Sequence, residues 1–92
     1  AALSYLRTLS IELARKGVTA NTIAPGFVDT DLLSHYAEHR EKIEKQIPAG
    51  RYAQADEVAG LVRYLLSAEA AYVTGSLLPI DGGLMAGLGG KR

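Results

Sequence analysis

Residues 21–33 read NTIAPGFVDTDLL. The apolar run that reaches Ile23 and Ala24 breaks on Pro25-Gly26, and Asp29 and Asp31 then flank Thr30. Pro and Gly are enough to make a turn. The Asp-Thr-Asp cluster just beyond asks for a second explanation, and a binding loop is the reading it suggests. The residues leading in, Val18 to Ala24, hold β-branched side chains between Gly17 and Pro25, so they read as a strand. Their weak alternation fits a strand covered on both faces, as in a parallel sheet.

Upstream, Leu3, Leu6, Leu9 or Ser10, and Leu13 recur on one helical face as far as Arg15. Lys16-Gly17 then supplies a basic last turn and a glycine suited to the left-handed position after a helix. Downstream, residues from about Asp31 to Ile47 read as helical, with Leu32, Leu33, Tyr36, Ile43 and Ile47 on one side, ended by Pro48-Ala49-Gly50. The next helix has the clearest pattern. Val58, Leu61, Val62, Leu65 and Leu66 follow the i, i+3, i+4, i+7, i+8 spacing, with Asp56 and Glu57 in the first turn. Thr74-Gly75 is a turn, and Ser76 to Asp81 is a second short strand in which Pro79 implies an edge or an unneeded N–H. Gly82-Gly83 closes it, and residues 84–92 read as a flexible tail.

Helix, strand, helices, strand is the order of a right-handed βαβ unit in a parallel sheet. Ligands in such sheets bind beyond the carboxyl ends of the strands, where the Pro25–Asp31 loop lies. With 48% hydrophobic and 22% charged residues, the proportions are those of one ordinary globular domain. Ten basic against ten acidic residues argue against nucleic acid as a partner. The chain holds no cysteine, so disulfide and thiolate chemistry are out, which is consistent with the cytoplasm. No apolar run is long enough for a membrane helix, and AALSYLRTL lacks the form of a signal peptide. The helical pattern is already running at Ala1 without a capping residue, so the expectation is a piece of something longer.

Two stretches resemble a known family. ELARKGVTANTIAPGFVDTDL and PAGRYAQADEVAGLVRYLLSAEAAYVTGSLLPIDGG are similar to the C-terminal part of the short-chain dehydrogenase/reductases, most of all the 3-oxoacyl-acyl-carrier-protein reductases. The likeness runs from Ala1 to Gly83. It implies the C-terminal βαβ portion of a Rossmann-type, doubly wound parallel sheet, with residues 1–92 a partial domain. It also implies a parent that transfers hydride from NADPH or NADH, NADP being favoured, to a carbonyl, that of a 3-oxoacyl thioester. The parent is expected to be a cytoplasmic homotetramer assembled through the final helix and strand. The family's Gly-rich phosphate loop, catalytic Ser and Tyr-x-x-x-Lys pair lie upstream of what this chain matches. Tyr5 is followed by Leu-Arg-Thr-Leu, with no Lys in fourth place. No catalytic residue is therefore expected here, nor activity from this chain alone.

The resemblance also answers the opening question. It implies that the loop holds the nicotinamide end of the cofactor. Pro25 would set the chain direction, and Gly26 would let backbone approach the ligand. Val28 would bond the carboxamide through its main-chain N–H and C=O, and Thr30 would offer its hydroxyl. Asp31 opens the next helix. The His35–His39 region falls where the family has its substrate lid, so Tyr36 is a candidate substrate contact.

Other readings were weighed on the residues themselves. Asp29 and Asp31 could be paired acid–base carboxylates, but solvated loop or capping roles are the simpler account. HYAEH, His35 to His39, matches a zinc-peptidase pattern, yet EHREKIEK continues as an ordinary charged face with Glu38–Lys42 and Glu41–Lys45 spacing, so no metal is expected. GLGGKR fails as a phosphate loop because Met85 stands where a Gly is needed and Arg92 follows Lys91. The rival to the reductase reading is a non-catalytic interaction or oligomerisation module that reuses the same βαβ unit.

Overall fold

The structure is a computed structural model, and it describes residues 2–30 and 37–89. The chain divides into two compact units, Ala1–Ala24 with Gly60–Leu78, and Pro25–Ala59 with Pro79–Arg92. The first part, residues 31–36, of the helix expected from about Asp31 to Ile47, and the roles given to Asp31, His35 and Tyr36, lie outside the described residues.

In the first unit, helix α1 (Ala2–Ala14) ends as its sequence predicts. Val18 N–H donates to the Leu13 carbonyl and Gly17 N–H to that of Ala14, at 3.1 Å each, with Gly17 at φ 72°. This is the paired bond pattern that closes a helix on a left-handed glycine. The one buried residue of α1 is Ser10, whose hydroxyl donates to the Arg7 carbonyl at 2.9 Å. Of the two options for that turn, Leu9 or Ser10, the small residue goes inside.

Strand β1 spans Thr22–Pro25, shorter at its start than the Val18–Ala24 read from sequence. Residues 20 and 21 lie before the strand and are tied largely by side chains, although the Ala20 carbonyl also accepts the main-chain N–H of Gly75 at 2.8 Å. Ala20 N–H donates to Thr74 Oγ1 at 3.0 Å. The Asn21 amide donates to the Val73 carbonyl and accepts from Ser76 N–H, both at 3.0 Å. The ladder starts only where Thr22 N–H reaches the Ser76 carbonyl at 2.9 Å.

Strand β4 (Leu77–Ile80) pairs with β1 in a two-stranded sheet. In the second unit Gly26 N–H donates to the Ile80 carbonyl at 3.1 Å. Main-chain groups alternate along a strand. With Thr22, Gly26, Ser76 and Ile80 facing the partner, Pro25 and Pro79 stand where an N–H would point to the outer edge. Both prolines therefore cost the ladder nothing. The expectation that β1 is covered on both faces is not met, since none of its residues is buried.

In the second unit, β2 (Val28–Asp29) and β3 (Ala53–Gln54) form a parallel pair. Helix α2 (Ala37–Gln46) leads to a chain reversal whose Ile47, with Tyr52, is the buried apolar centre of this unit. Helix α3 (Ala55–Leu65) follows β3 directly and carries the apolar stripe. Val58, Leu61 and Leu65 are half-buried, while Val62 is exposed; Leu66 lies one residue past the helix and is exposed. Leu84–Gly89 is a short helix, α4, where a flexible tail is expected. Asp81 starts it, accepting from Gly83 N–H with Oδ1 and from Met85 N–H with Oδ2, both at 3.0 Å. A carboxylate that satisfies first-turn donors is what lets so glycine-rich a segment turn helical.

Candidate functional site

The candidate residues Pro25, Gly26, Val28 and Thr30 lie on one continuous stretch that ends β1 and forms β2. Pro25 is exposed at the last position of β1, and Thr30 is exposed one residue beyond β2. Gly26 turns out to be packed against this chain. A Cβ added there would fall 2.8 Å from the Asp81 Cβ and 2.9 Å from its Cα. That is a clash with main chain, so glycine is required at this position by the fold itself.

Val28 lies opposite Ala53, and Asp29 opposite Gln54. Ala53 N–H donates to the Phe27 carbonyl at 2.9 Å. In a parallel ladder a residue that bonds the two flanks of its partner leaves the partner's own groups pointing the other way. The peptide groups of Phe27 and Asp29 therefore face β3, and the N–H and C=O of Val28 face the opposite, open edge. Among the described residues neither Val28 group has a hydrogen-bond partner.

Asp29, weighed from sequence as a solvated or acid–base carboxylate, is an ion-pair partner. Its Oδ2 lies 3.1 Å from Arg40 Nη2, both side chains 36% exposed. Arg40 Nε also reaches Glu44 Oε2 at 3.4 Å, one turn along α2. The guanidinium carbon sits 4.3 Å from the centroid of the Tyr52 ring, within cation–π range. Tyr52 is 3% exposed, and its ring packs on Phe27 at 5.6 Å between centroids, tilted by 31°. The hydrogen bond that Arg40 donates to Asp29 raises the pKa of the guanidinium above its ordinary value against a smaller opposing effect of burial, and the charges of Asp29 and Glu44 and the bond to Glu44 add to the rise. Glu38–Lys42 and Glu41–Lys45, suggested by spacing, are not ion pairs among the described residues; Arg40–Glu44 is.

Beside this cluster is a cavity of about 180 Å³ lined by Phe27, Ile47, Arg51, Ala53 and Ile80, among others. It is smaller than the few hundred Å³ usual for a ligand pocket, so the open edge of β2 is the better candidate. Neither Arg40 nor Tyr52 was picked out by sequence reasoning. Their only signal was an Arg on the charged face of α2 and an aromatic residue outside any periodic run. No group of three His, Cys, Asp or Glu able to hold a metal exists among the described residues. No helix among them is long and apolar enough to cross a membrane.

Comparison with known proteins shows the family of the chain. The family described as enoyl-(acyl carrier protein) reductase matches residues 1–85. This chain belongs to the short-chain dehydrogenase/reductase family. It is 44% identical over 81 residues to the 3-oxoacyl-[acyl-carrier-protein] reductase FabG of Pseudomonas aeruginosa, covering 87% of this chain and 33% of that protein. It is 46% identical over 83 residues to nodulation protein G of Azospirillum brasilense, covering 89% and 34%. Among solved structures, YwfH, an NADPH-dependent reductase involved in bacilysin biosynthesis, superposes with a TM-score of 0.83 at 35% identity, over 90% of this chain and 36% of that one. The chain thus spans about a third of the length of the curated relatives it matches. The Rossmann-type fold read from sequence is the fold of these short-chain dehydrogenase/reductase neighbours.

Proposed function

We propose that this chain forms the nicotinamide side of an NAD(P)H-dependent reductase acting on the 3-oxo group of an acyl thioester carried on an acyl-carrier protein. The observation that carries the proposal is the open edge of β2. A carboxamide has one acceptor oxygen and an NH2 donor, and Val28 offers a matching N–H and C=O on one side of a strand. Thr30 adds a hydroxyl at the end of that strand, and Pro25 and Gly26 set its course. When bound, the reduced nicotinamide supplies the hydride. This chain's part is to hold the ring in one orientation, which is how a protein turns cofactor reactivity into a directed transfer. The proton that completes carbonyl reduction comes, in this proposal, from residues outside the chain.

NADP is the favoured cofactor, supported by the NADPH-dependent reductase among the structural neighbours. The 3-oxoacyl substrate is supported by the FabG relative. We also propose that the complete protein works in the cytoplasm as a homotetramer. The exposed Val62, Tyr64 and Leu66, which leave apolar surface at the end of α3 uncovered, support the assembly.

The test is NADPH oxidation by the complete protein with a 3-oxoacyl thioester and, separately, with an enoyl thioester. Oxidation that depends on the 3-oxo group supports the proposal. Reduction of the enoyl thioester alone refutes the substrate assignment. No cofactor binding, together with tight self-association, favours the interaction-module reading.

A further inference from the structure

We infer that Arg40 is a positioning residue for the cofactor strand: by bridging Asp29 to the face of Tyr52, it fixes the edge on which Val28 presents its N–H and C=O. The inference rests on the nicotinamide reading of Val28 given above. Strands β2 and β3 are two residues each, and so short a ladder has few bonds to hold its course. Arg40 supplies what the ladder lacks. It grips Asp29, the neighbour of Val28, at 3.1 Å. It also lies over Tyr52, the residue immediately before β3, at 4.3 Å. Tyr52 in turn packs on Phe27, the residue immediately before β2. One guanidinium thus ties both strands at their ends, and Glu44 helps to orient it from one turn away.

The planar shape of the group matters. A guanidinium can stack on a ring and donate in its own plane at once, whereas an ammonium cannot. The buried Tyr52 gives the arrangement a fixed floor. The strand edge is then set by α2, the helix leading out of the segment where the sequence reading expects the substrate lid.

A merely structural role is separated by two ligands that differ in the nicotinamide. Binding of NADPH and of 2′-phospho-ADP-ribose to the complete protein is measured by titration calorimetry for wild type, Arg40→Gln, Arg40→Lys and Asp29→Asn. NADH and ADP-ribose replace them if the protein prefers NAD. Wild type is expected to bind NADPH more tightly than the nicotinamide-free fragment. Arg40→Gln should weaken NADPH binding by about threefold to tenfold, the scale of a half-exposed ion pair plus one cation–π contact. Its affinity for the fragment should be unchanged. Asp29→Asn should behave in the same way, and Arg40→Lys, which keeps the charge but not the plane, should recover part of the loss. If Arg40→Gln does not fold, Asp29→Asn and Arg40→Lys carry the test. Equal weakening of both ligands, or of neither, overturns the role of Arg40. A wild type that does not distinguish the two ligands overturns the Val28 reading itself, and this inference with it.

Discussion

Arg51 and Glu57 meet fork to fork, with Nη1 to Oε1 at 2.8 Å and Nη2 to Oε2 at 2.9 Å. Glu57 Oε1 also accepts the N–H of Gln54, the residue just before α3, at 2.8 Å. This is the half of a capping box in which the third helical residue reaches back to the cap. One carboxylate therefore closes the start of α3 and fixes the loop before β3. The hydrogen bond from Arg51, then that from Gln54, lowers the Glu57 pKa from 4.5 to about 2.

A pH dependence follows from that shift. The folded value lies below the unfolded one, so the stabilisation is complete above about 4.5 and is lost as pH falls towards about 2. The urea midpoint of the complete protein should fall across this window more steeply in wild type than in Glu57→Gln, which has no charge to lose. Identical pH profiles for the two proteins would sink this account.

Gly26 is required by its neighbour Asp81 and not by a special backbone angle. A Cβ at 2.8 Å from Asp81 Cβ and 2.9 Å from Asp81 Cα cannot be relieved by turning a side chain. Gly26→Ala should destabilise the protein without ligand by about 1–3 kcal/mol, the usual range for overpacking. Denaturant unfolding without cofactor measures it. Unchanged stability would leave close approach to a ligand as the remaining reason for glycine.

Asn21 bridges the Val73 carbonyl and the Ser76 N–H with the two ends of its amide. Asn21→Ala leaves both half-buried main-chain groups without that partner and should cost about 1–3 kcal/mol. Asn21→Asp keeps the acceptor for Ser76 but sets a second oxygen against the Val73 carbonyl, so it should be no better than Ala. An Asp variant as stable as wild type in a neutral-pH thermal melt would contradict the bridge.

Val28 tests the open edge. Val28→Ala keeps the N–H and C=O, and cofactor affinity should stay within about twofold, since only side-chain contact is lost. Val28→Pro removes the N–H, which the β2–β3 ladder does not use, and should weaken NADPH binding by roughly tenfold to a hundredfold. Because Pro also restricts the backbone, the melting temperature without cofactor is compared first. Equal NADPH affinity in two variants of matched stability would return the Pro-Gly stretch to a plain turn.

Much of the fold was legible because its signals are local. The spacing of Val58, Leu61 and Leu65 is a property of one helix, and Gly17 closes α1 through bonds that reach back only to Leu13 and Ala14. The position of Pro79 predicts an edge or an unneeded N–H because proline removes a donor, whatever else surrounds it. The candidate loop was found in the same way, as a break in an apolar run followed by polar residues.

What the tertiary structure alone decided involves partners distant in the chain. Strands of two residues have no period to detect, so nothing in Val28-Asp29 or Ala53-Gln54 announces that they pair, or in which register. Register in turn decides which peptide groups face the ladder and which are left for a ligand. Asp29 looked like a free loop carboxylate until α2 brought Arg40 to it, and Tyr52 carried no signal until its ring lay beneath that guanidinium. Asp81 became a cap only when the segment after it coiled against its carboxylate. Composition and spacing pointed to a βαβ class and to a candidate loop after the first strand. The reach of side chains across 11 and more residues decided which groups are already paired, and so which remain open to a ligand.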